Sequence, residues 1–362
     1  MDKRKWLIIY VSAGEGHRRA GEALYNYIHN NFKDTDIEIV DALNFTHPFF
    51  KNLYKNGYRF LVKHTPLLWK IVYIFSRIRF LKSVRFLVNR LNTGRLNKYL
   101  KDCQPQVVIV THFLPQEVVL YLKKKKIINA KLAVVITDFS VHPFWALGGV
   151  DKYMVASDFT YARLVSYGIE KEKIFVTGIP VDLKFSVNLN RDTLYKKFGI
   201  RENNFTVLVV MAGFGLKVIE KIAEILHKHA QMIIVCGHNQ KLLEILQHKG
   251  YPQVKIFGFV ENMEELMSVC DVIITKGGGL TISEALAKEL PIFFVSSVFG
   301  QETENAQIIQ KLGAGFLIKD LNFLKDLILK YKSNPDLLNQ LRRNILLIRK
   351  PLAAKEIVDA LR

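Results

Sequence analysis

The sequence predicts an α/β protein built from two doubly wound domains that face each other across a cleft. Three observations lead there. Short apolar runs alternate with segments of helical periodicity, the pattern of parallel sheets covered by helices on both faces. The pattern runs twice, with a break near Gly178-Ile179-Pro180-Val181-Asp182. The chain has 362 residues, 49% hydrophobic and 23% charged, enough for two cores and far from the composition of a disordered chain.

The predicted strands of the first half are Leu7–Val11, Ile37–Val40, Val107–Thr111, Leu132–Thr137 and Lys152–Ala156. Those of the second are Phe205–Met211, Gln231–Cys236, Val254–Phe257, Val272–Thr275 and Ile292–Val295. Arg18–Asn31, Leu216–His229 and Thr281–Glu289 carry helical spacing between them. Domains are expected over residues 1–182 and 183–345, with 346–362 forming a helix that packs back on the first. No uncharged apolar run approaches the ~18–20 residues that span a bilayer. Met1–Val11 briefly imitates a signal peptide. Gly14-Glu15-Gly16-His17-Arg18-Arg19 follows in place of a cleavage site, so Trp6–Val11 reads as a buried strand and the protein as cytoplasmic. Cys103, Cys236 and Cys270 form no CxxC, so neither a disulfide framework nor a zinc site is expected.

The formal charge of +19 is concentrated. Between Asp41 and Asp102 there is no acidic residue, while thirteen lysines and arginines alternate with aromatics such as Phe49, Trp69, Tyr73 and Phe80. Stepping Arg77–Leu91 at ~100° per residue gathers Phe80, Leu81, Val84, Leu87, Val88 and Leu91 in one arc. Arg79, Lys82, Arg85 and Arg90 fall opposite. A core helix with a solvated basic face would give this pattern. So would a surface for nucleic acid, but no recognition module accompanies the charge, and nucleic acid is not the expected partner. Lys and Arg mixed with Trp, Phe and Leu also suit an anionic membrane surface, with Trp69, Arg79, Phe80, Lys82, Arg85 and Arg90 as docking residues.

Three glycine-bearing loops follow predicted strands, where ligands of such sheets bind. Ser12-Ala13-Gly14-Glu15-Gly16-His17 ends the first strand and places Gly16 and His17 at the cleft. It is neither a Walker loop nor GxGxxG. Ala212-Gly213-Phe214-Gly215 and Lys276-Gly277-Gly278-Gly279-Leu280-Thr281 each precede a helix, whose open N–H groups and dipole favour phosphate. Glu284, one turn beyond Thr281, offers a bidentate acceptor for two ribose hydroxyls. Diphosphate plus ribose means a nucleotide. Gly300-Gln301-Glu302-Thr303-Glu304-Asn305 adds the amides and carboxylates that sugar hydroxyls require, and equally reads as a polar helix cap.

Gly14–Ala20, Thr177-Gly178-Ile179-Pro180-Val181, Gly258-Phe259-Val260, Ile274–Ala285 and Gly300–Asn305 stand in this order. Together they resemble the monogalactosyldiacylglycerol synthase and processive diacylglycerol glucosyltransferase family, within glycosyltransferase family 28. A more distant relative is the peptidoglycan N-acetylglucosaminyltransferase that makes lipid II. The resemblance implies a GT-B fold of two Rossmann-like domains, a UDP-sugar donor as co-substrate with no further cofactor, and diacylglycerol as acceptor. The protein would then be bound peripherally at the inner face of the cell membrane.

By the same resemblance, Gly213 and Gly215 approach the diphosphate, and Phe259 and Val260 line the uracil pocket. Gly278, Gly279 and Thr281 hold phosphate, Glu284 the ribose, and Gln301, Glu302 and Asn305 the sugar. His17 matches the acceptor-activating histidine. Two departures stand out: Gly277 replaces a proline common in the family, and the Ala212–Gly215 loop is short. A hexose would pass from UDP to a lipid hydroxyl with inversion, assisted by a histidine of near-neutral pKa. Helix N-termini and loop amides would hold the leaving charge, so no metal is expected. Asp138, at another first-domain strand end, is placed to orient the acceptor or His17, or to cap a turn. Transfer of N-acetylglucosamine to a polyprenyl-linked lipid is the alternative enzyme. A non-catalytic basic binding protein on the same scaffold is the alternative class.

Overall fold

The computed structural model describes residues 4–57, 65, 68, 70–71, 73, 75, 86, 89–90, 92–211, 216–295 and 300–362. The first sheet comprises β1 (Arg4–Tyr10), β2 (Thr35–Asp41), β3 (Val107–Val110), β4 (Lys131–Val135), β5 (Lys152–Val155) and β6 (Ile174–Val176). All its pairings are parallel, in the order β2-β1-β3-β4-β5-β6. The second comprises β7 (Thr206–Val210), β8 (Gln231–Val235), β9 (Val254–Phe257), β10 (Val272–Thr275), β11 (Ile292–Phe294) and β12 (Gly315–Leu317). It too is parallel, in the order β12-β11-β10-β7-β8-β9.

The inner strands such as β3, β4, β7, β8 and β10 are apolar runs because both faces of each sheet are covered there, whereas the edge strand β2 alternates exposed polar and more buried apolar residues. Successive residues of β1 alternate sides, as the two-residue period requires. Leu7 and Ile9 join one core with Val108, Val110, Leu132 and Val134. Trp6 and Ile8 join the other, against Leu24 and Ile28 of the helix Glu15–Asn31 and Ala354, Ile357, Val358 and Leu361 of the helix Ala353–Leu361. Burying each Leu, Ile or Val among them stabilises by about 1.5–3 kcal/mol. The chain thus crosses between domains twice, at Gly178–Asp182 and again beside Lys350, which packs against Gly178. A third core is shared: Ala20, Phe139 and Ile179 of the first domain pack in one cluster with Leu280 and Ile282 of the second.

In each sheet the strand order reverses beside the first strand, between β1 and β3 and between β7 and β10. Such reversals open a crevice at the C-terminal strand ends. The loops after β1 and β10 therefore sit at the two switch points. Helix Glu15–Asn31 begins three residues earlier than the sequence suggested, so His17 lies in its first turn and not in the preceding loop.

Candidate active site

Asp41 fixes the loop after β1, its Oδ1 accepting from Ser12 N at 3.2 Å and Leu43 N at 3.0 Å. His17 is then held at three points. Its carbonyl accepts the Thr111 hydroxyl at 3.0 Å. Its Nδ1 lies 2.9 Å from the Thr137 hydroxyl, and its ring meets His112 edge-on with centroids 4.9 Å apart. Burial pushes the imidazole down to about 4, which corrects the near-neutral base expected from sequence. A base so depressed carries no positive charge near pH 7, and one ring nitrogen keeps its lone pair at the cost of weak basicity.

Across the cleft, helix Gly279–Ala287 starts at Gly278 without a side-chain cap. The first intrahelical bond runs from Ile282 N to the Gly278 carbonyl. The amides of Gly279, Leu280 and Thr281 are thus the open donors that favour an anion. The space in front of Gly278 is open, whereas a Cβ at Gly279 would lie 2.2 Å from the Thr137 carbonyl. Gly279 is glycine because the first domain's backbone presses on it. The two helix starts also meet, with a Cβ at Gly16 falling 3.8 Å from that of Leu280.

Glu284 is 4% exposed. Burial pushes its carboxyl up to about 7, opposed by the Arg19 guanidinium 3.7 Å away. Phe259, more than half exposed, stacks on His238 at 4.4 Å and 11°, and Val260 is half-buried beside it. These groups stand beyond the ends of β8 and β9, where a flat base has an aromatic surface to meet. Glu302 pairs with Lys276 at 2.8 Å. Its second carboxylate oxygen is buried with no hydrogen-bond partner among the described residues.

Asn305 corrects an expectation. It is fully buried, and its Oδ1 accepts from Phe139 N and Ser140 N, each at 2.9 Å. Its Nδ2 donates to Asp138 Oδ1 and to the Gly277 carbonyl, again at 2.9 Å. Every donor and acceptor of the amide is used, so none remains for a sugar hydroxyl. Asp138 is likewise not bonded to His17: its other oxygen accepts from Gln301 Nε2 at 3.3 Å. Burial pushes its carboxyl up to about 6. Together these contacts tie the end of β4 to the helix Gln301–Lys311 of the other domain. Gly213 and Gly215 lie outside the described residues. So do Trp69, Arg79, Phe80, Lys82 and Arg85. Arg90 is exposed, with its guanidinium 4.7 Å from the Tyr121 ring centroid.

Residues 17–181 match the family model of monogalactosyldiacylglycerol (MGDG) synthase, and residues 209–357 match the glycosyltransferase family 28 C-terminal domain. A processive diacylglycerol beta-glucosyltransferase of Bacillus cereus (strain G9842) is 32% identical over 329 residues, covering 87% of this chain and 82% of that protein. The chain belongs to the MGDG synthase and processive diacylglycerol glucosyltransferase family. The protein of that name from Bacillus thuringiensis (strain Al Hakam) is also 32% identical, with the same coverage. Among solved structures, Acinetobacter baumannii MurG superposes with a TM-score of 0.64 at 15% identity, covering 99% of this chain and 98% of its own. The S. aureus MnaA–UDP structure gives 0.63 at 13% identity, covering 99% and 96%. Both likenesses establish the GT-B-type fold of two facing α/β domains.

Within this family frame, the glycine at 277 has a steric reason. A Cβ there would fall 1.8 Å from the Glu302 carbonyl, leaving no room for proline's ring in this arrangement. Sequence reasoning missed Arg19, Thr137, His238 and Lys276. Arg19 and Lys276 stood inside quoted motifs without an assigned role. His238, in Cys236-Gly237-His238 after β8, carried the same strand-end signal as His17. Thr137 carried none.

Proposed function

We propose that this protein transfers a hexose from a UDP-sugar to diacylglycerol at a membrane surface, with inversion at the anomeric carbon. The observation that carries the reading is the imidazole of His17, held by Thr137 at one switch point, beside the uncapped helix start at the other. The names of the Bacillus relatives support diacylglycerol as the acceptor.

In this reading the acceptor oxygen attacks the anomeric carbon, and the bond from that carbon to the diphosphate oxygen breaks. The bonding pair leaves with UDP, where the amides of Gly279–Thr281 meet the new charge. The acceptor proton passes to Nε2 of His17. As the acceptor oxygen bonds to carbon its proton becomes strongly acidic, so a base of pKa about 4 serves late in the step. Glu284 holds the ribose, Phe259 and Val260 the base, and Gln301 and Glu302 the sugar. UDP-sugar is the sole co-substrate, and the step as written needs no metal.

The ribose contact has a pH signature. A carboxyl near 7 is ionised mainly above that pH, and only the carboxylate accepts two hydroxyls. UDP affinity should fall about tenfold from pH 8 to pH 6. Glu284→Gln should weaken binding by about one to two orders of magnitude. The pH slope that persists in the variant belongs to the diphosphate. Calorimetry across the pH range checks this, and an unchanged affinity in the variant would remove Glu284 from the nucleotide.

Peripheral attachment at the inner face of the cell membrane completes the reading. No helix among the described residues is long and apolar enough to cross a membrane. Phe49, Leu53, Leu68, Ile71, Phe75 and Phe86 are exposed, all within the acid-free basic window. Apolar side chains among cations favour an anionic lipid interface. Phe49→Ser with Phe75→Ser should reduce co-sedimentation with phosphatidylglycerol vesicles at least ~10-fold. Wild-type binding should also weaken as salt rises. A double variant that sediments like the wild type places the docking surface elsewhere. Turnover only with UDP-N-acetylglucosamine and a polyprenyl lipid, and not with diacylglycerol, would overturn the acceptor assignment.

A further inference from the structure

Four residues at the end of β4, Thr137 to Ser140, touch both the base and the donor domain. The Thr137 hydroxyl lies 2.9 Å from His17 Nδ1. The Thr137 carbonyl fills the space where Gly279 would carry a side chain. Asp138 is bonded to Gln301 and Asn305, and the amides of Phe139 and Ser140 are bonded to Asn305. Thr137 is 5% exposed. The segment that steadies His17 is therefore itself held by contacts from the second domain.

We propose that Thr137 is a positioning residue that sets the ring of His17 for proton transfer, and does so only while the two domains are closed. The inference rests on the reading of His17 as the acceptor base. For Nε2 to take the acceptor proton, Nδ1 must carry the ring proton, and the Thr137 hydroxyl is the acceptor standing at that nitrogen. The group that orients a catalytic imidazole controls its tautomer, and a wrong tautomer costs orders of magnitude in rate. When the domains part, the segment loses its four hydrogen bonds to Gln301 and Asn305 together with the Gly279 contact. Thr137 is then free to shift from Nδ1. The base thus becomes competent only when donor and acceptor sites have come together, which protects the bound UDP-sugar from water in the open form.

The test compares Thr137→Val, Thr137→Ser, His17→Ala and the double variant His17→Ala/Thr137→Val. Each is assayed with UDP-glucose and UDP-galactose on dioleoylglycerol in phosphatidylglycerol vesicles. Thr137→Val should lower kcat by about 10–100-fold, with donor KM and UDP affinity changed less than about twofold. Thr137→Ser, which keeps the hydroxyl, should recover most of the rate. In the His17→Ala background the valine should cost nothing further, because Thr137 acts through that ring alone. Imidazole ¹⁵N spectra of the UDP-bound protein should report His17 protonated on Nδ1, with Thr137→Val shifting it toward Nε2.

If His17→Ala retains wild-type turnover, the reading of His17 as base fails and takes this inference with it. If His17→Ala is inactive while Thr137→Val matches the wild type, or the two losses multiply, only the positioning role is overturned. An Nε2-protonated His17 in the UDP-bound wild type overturns it as well. Should Thr137→Val not fold, the serine variant and the wild-type spectrum still decide.

Discussion

Replacing His17 by alanine should lower turnover by ~10²–10⁴-fold while leaving UDP affinity within about twofold of the wild type. The two expectations separate because the residue belongs to the first domain, whereas the groups assigned to UDP belong to the second. The fold should tolerate the change. What is lost is one hydroxyl contact from Thr137 and one edge-on contact with His112. The carbonyl bond from Thr111 is a backbone bond and survives. A burial-depressed imidazole also predicts a rate profile without an acid limb near 6.5, since burial pushes His17 down to about 4. A limb between pH 6 and 8 that disappears with Glu284→Gln belongs to Glu284. One that survives it falls to Asp138, whose carboxyl is pushed up to about 6 by burial, and neither should disappear with His17→Ala. Steady-state kinetics with calorimetry reads both, and near-wild-type turnover in the alanine variant would exclude the histidine from the chemistry.

Asn305→Ala should produce the second large effect, a fall in kcat/KM of ~10²-fold or more. Its amide satisfies two backbone amides, one carbonyl and one carboxylate, all at 2.9 Å. A buried polar group left without a partner costs roughly 1–3 kcal/mol. Truncation therefore penalises the closed arrangement by several kcal/mol, less whatever water recovers. The groups proposed to hold UDP are not themselves altered, so affinity for UDP should change little. Solution scattering should detect a more open molecule. If the variant stays compact and loses affinity for UDP-sugar but not for UDP, Asn305 contacts the sugar after all.

Much of the fold was legible because parallel strands buried on both faces are written as apolar runs. All ten expected strands correspond to strands of the two sheets. The two that were missed, β6 and β12, are three residues long and lie at sheet edges. Three residues show no period, and edge positions demand less apolar character. The strand-end loops were legible because glycine before a helix marks close backbone approach. The contacts of Asn305 were not. They join residues more than 160 positions apart in the case of Phe139 and Ser140, and the same amide would suit a sugar equally well. Thr137 was invisible for a related reason. A threonine at the end of a strand is ordinary, and only the arrival of His17 Nδ1 beside its hydroxyl gives it a task.

The helix Ala353–Leu361 bears on how this chain is made. Its Ala354, Ile357, Val358 and Leu361 cover the same face of the first sheet as Trp6 and Ile8. During synthesis the first domain leaves the ribosome with that face covered only in part, by Leu24 and Ile28 of helix Glu15–Asn31, and the last helix follows only after the whole second domain has emerged. Contacts of such long sequence separation form late, because chain closure must precede any gain from burial. Until then an apolar strip on the nascent first domain stays open to water and to neighbouring chains, which is the condition under which partly folded proteins associate wrongly. Completion of the first domain is thereby tied to synthesis of the second, and the two halves of the active site become available as one event.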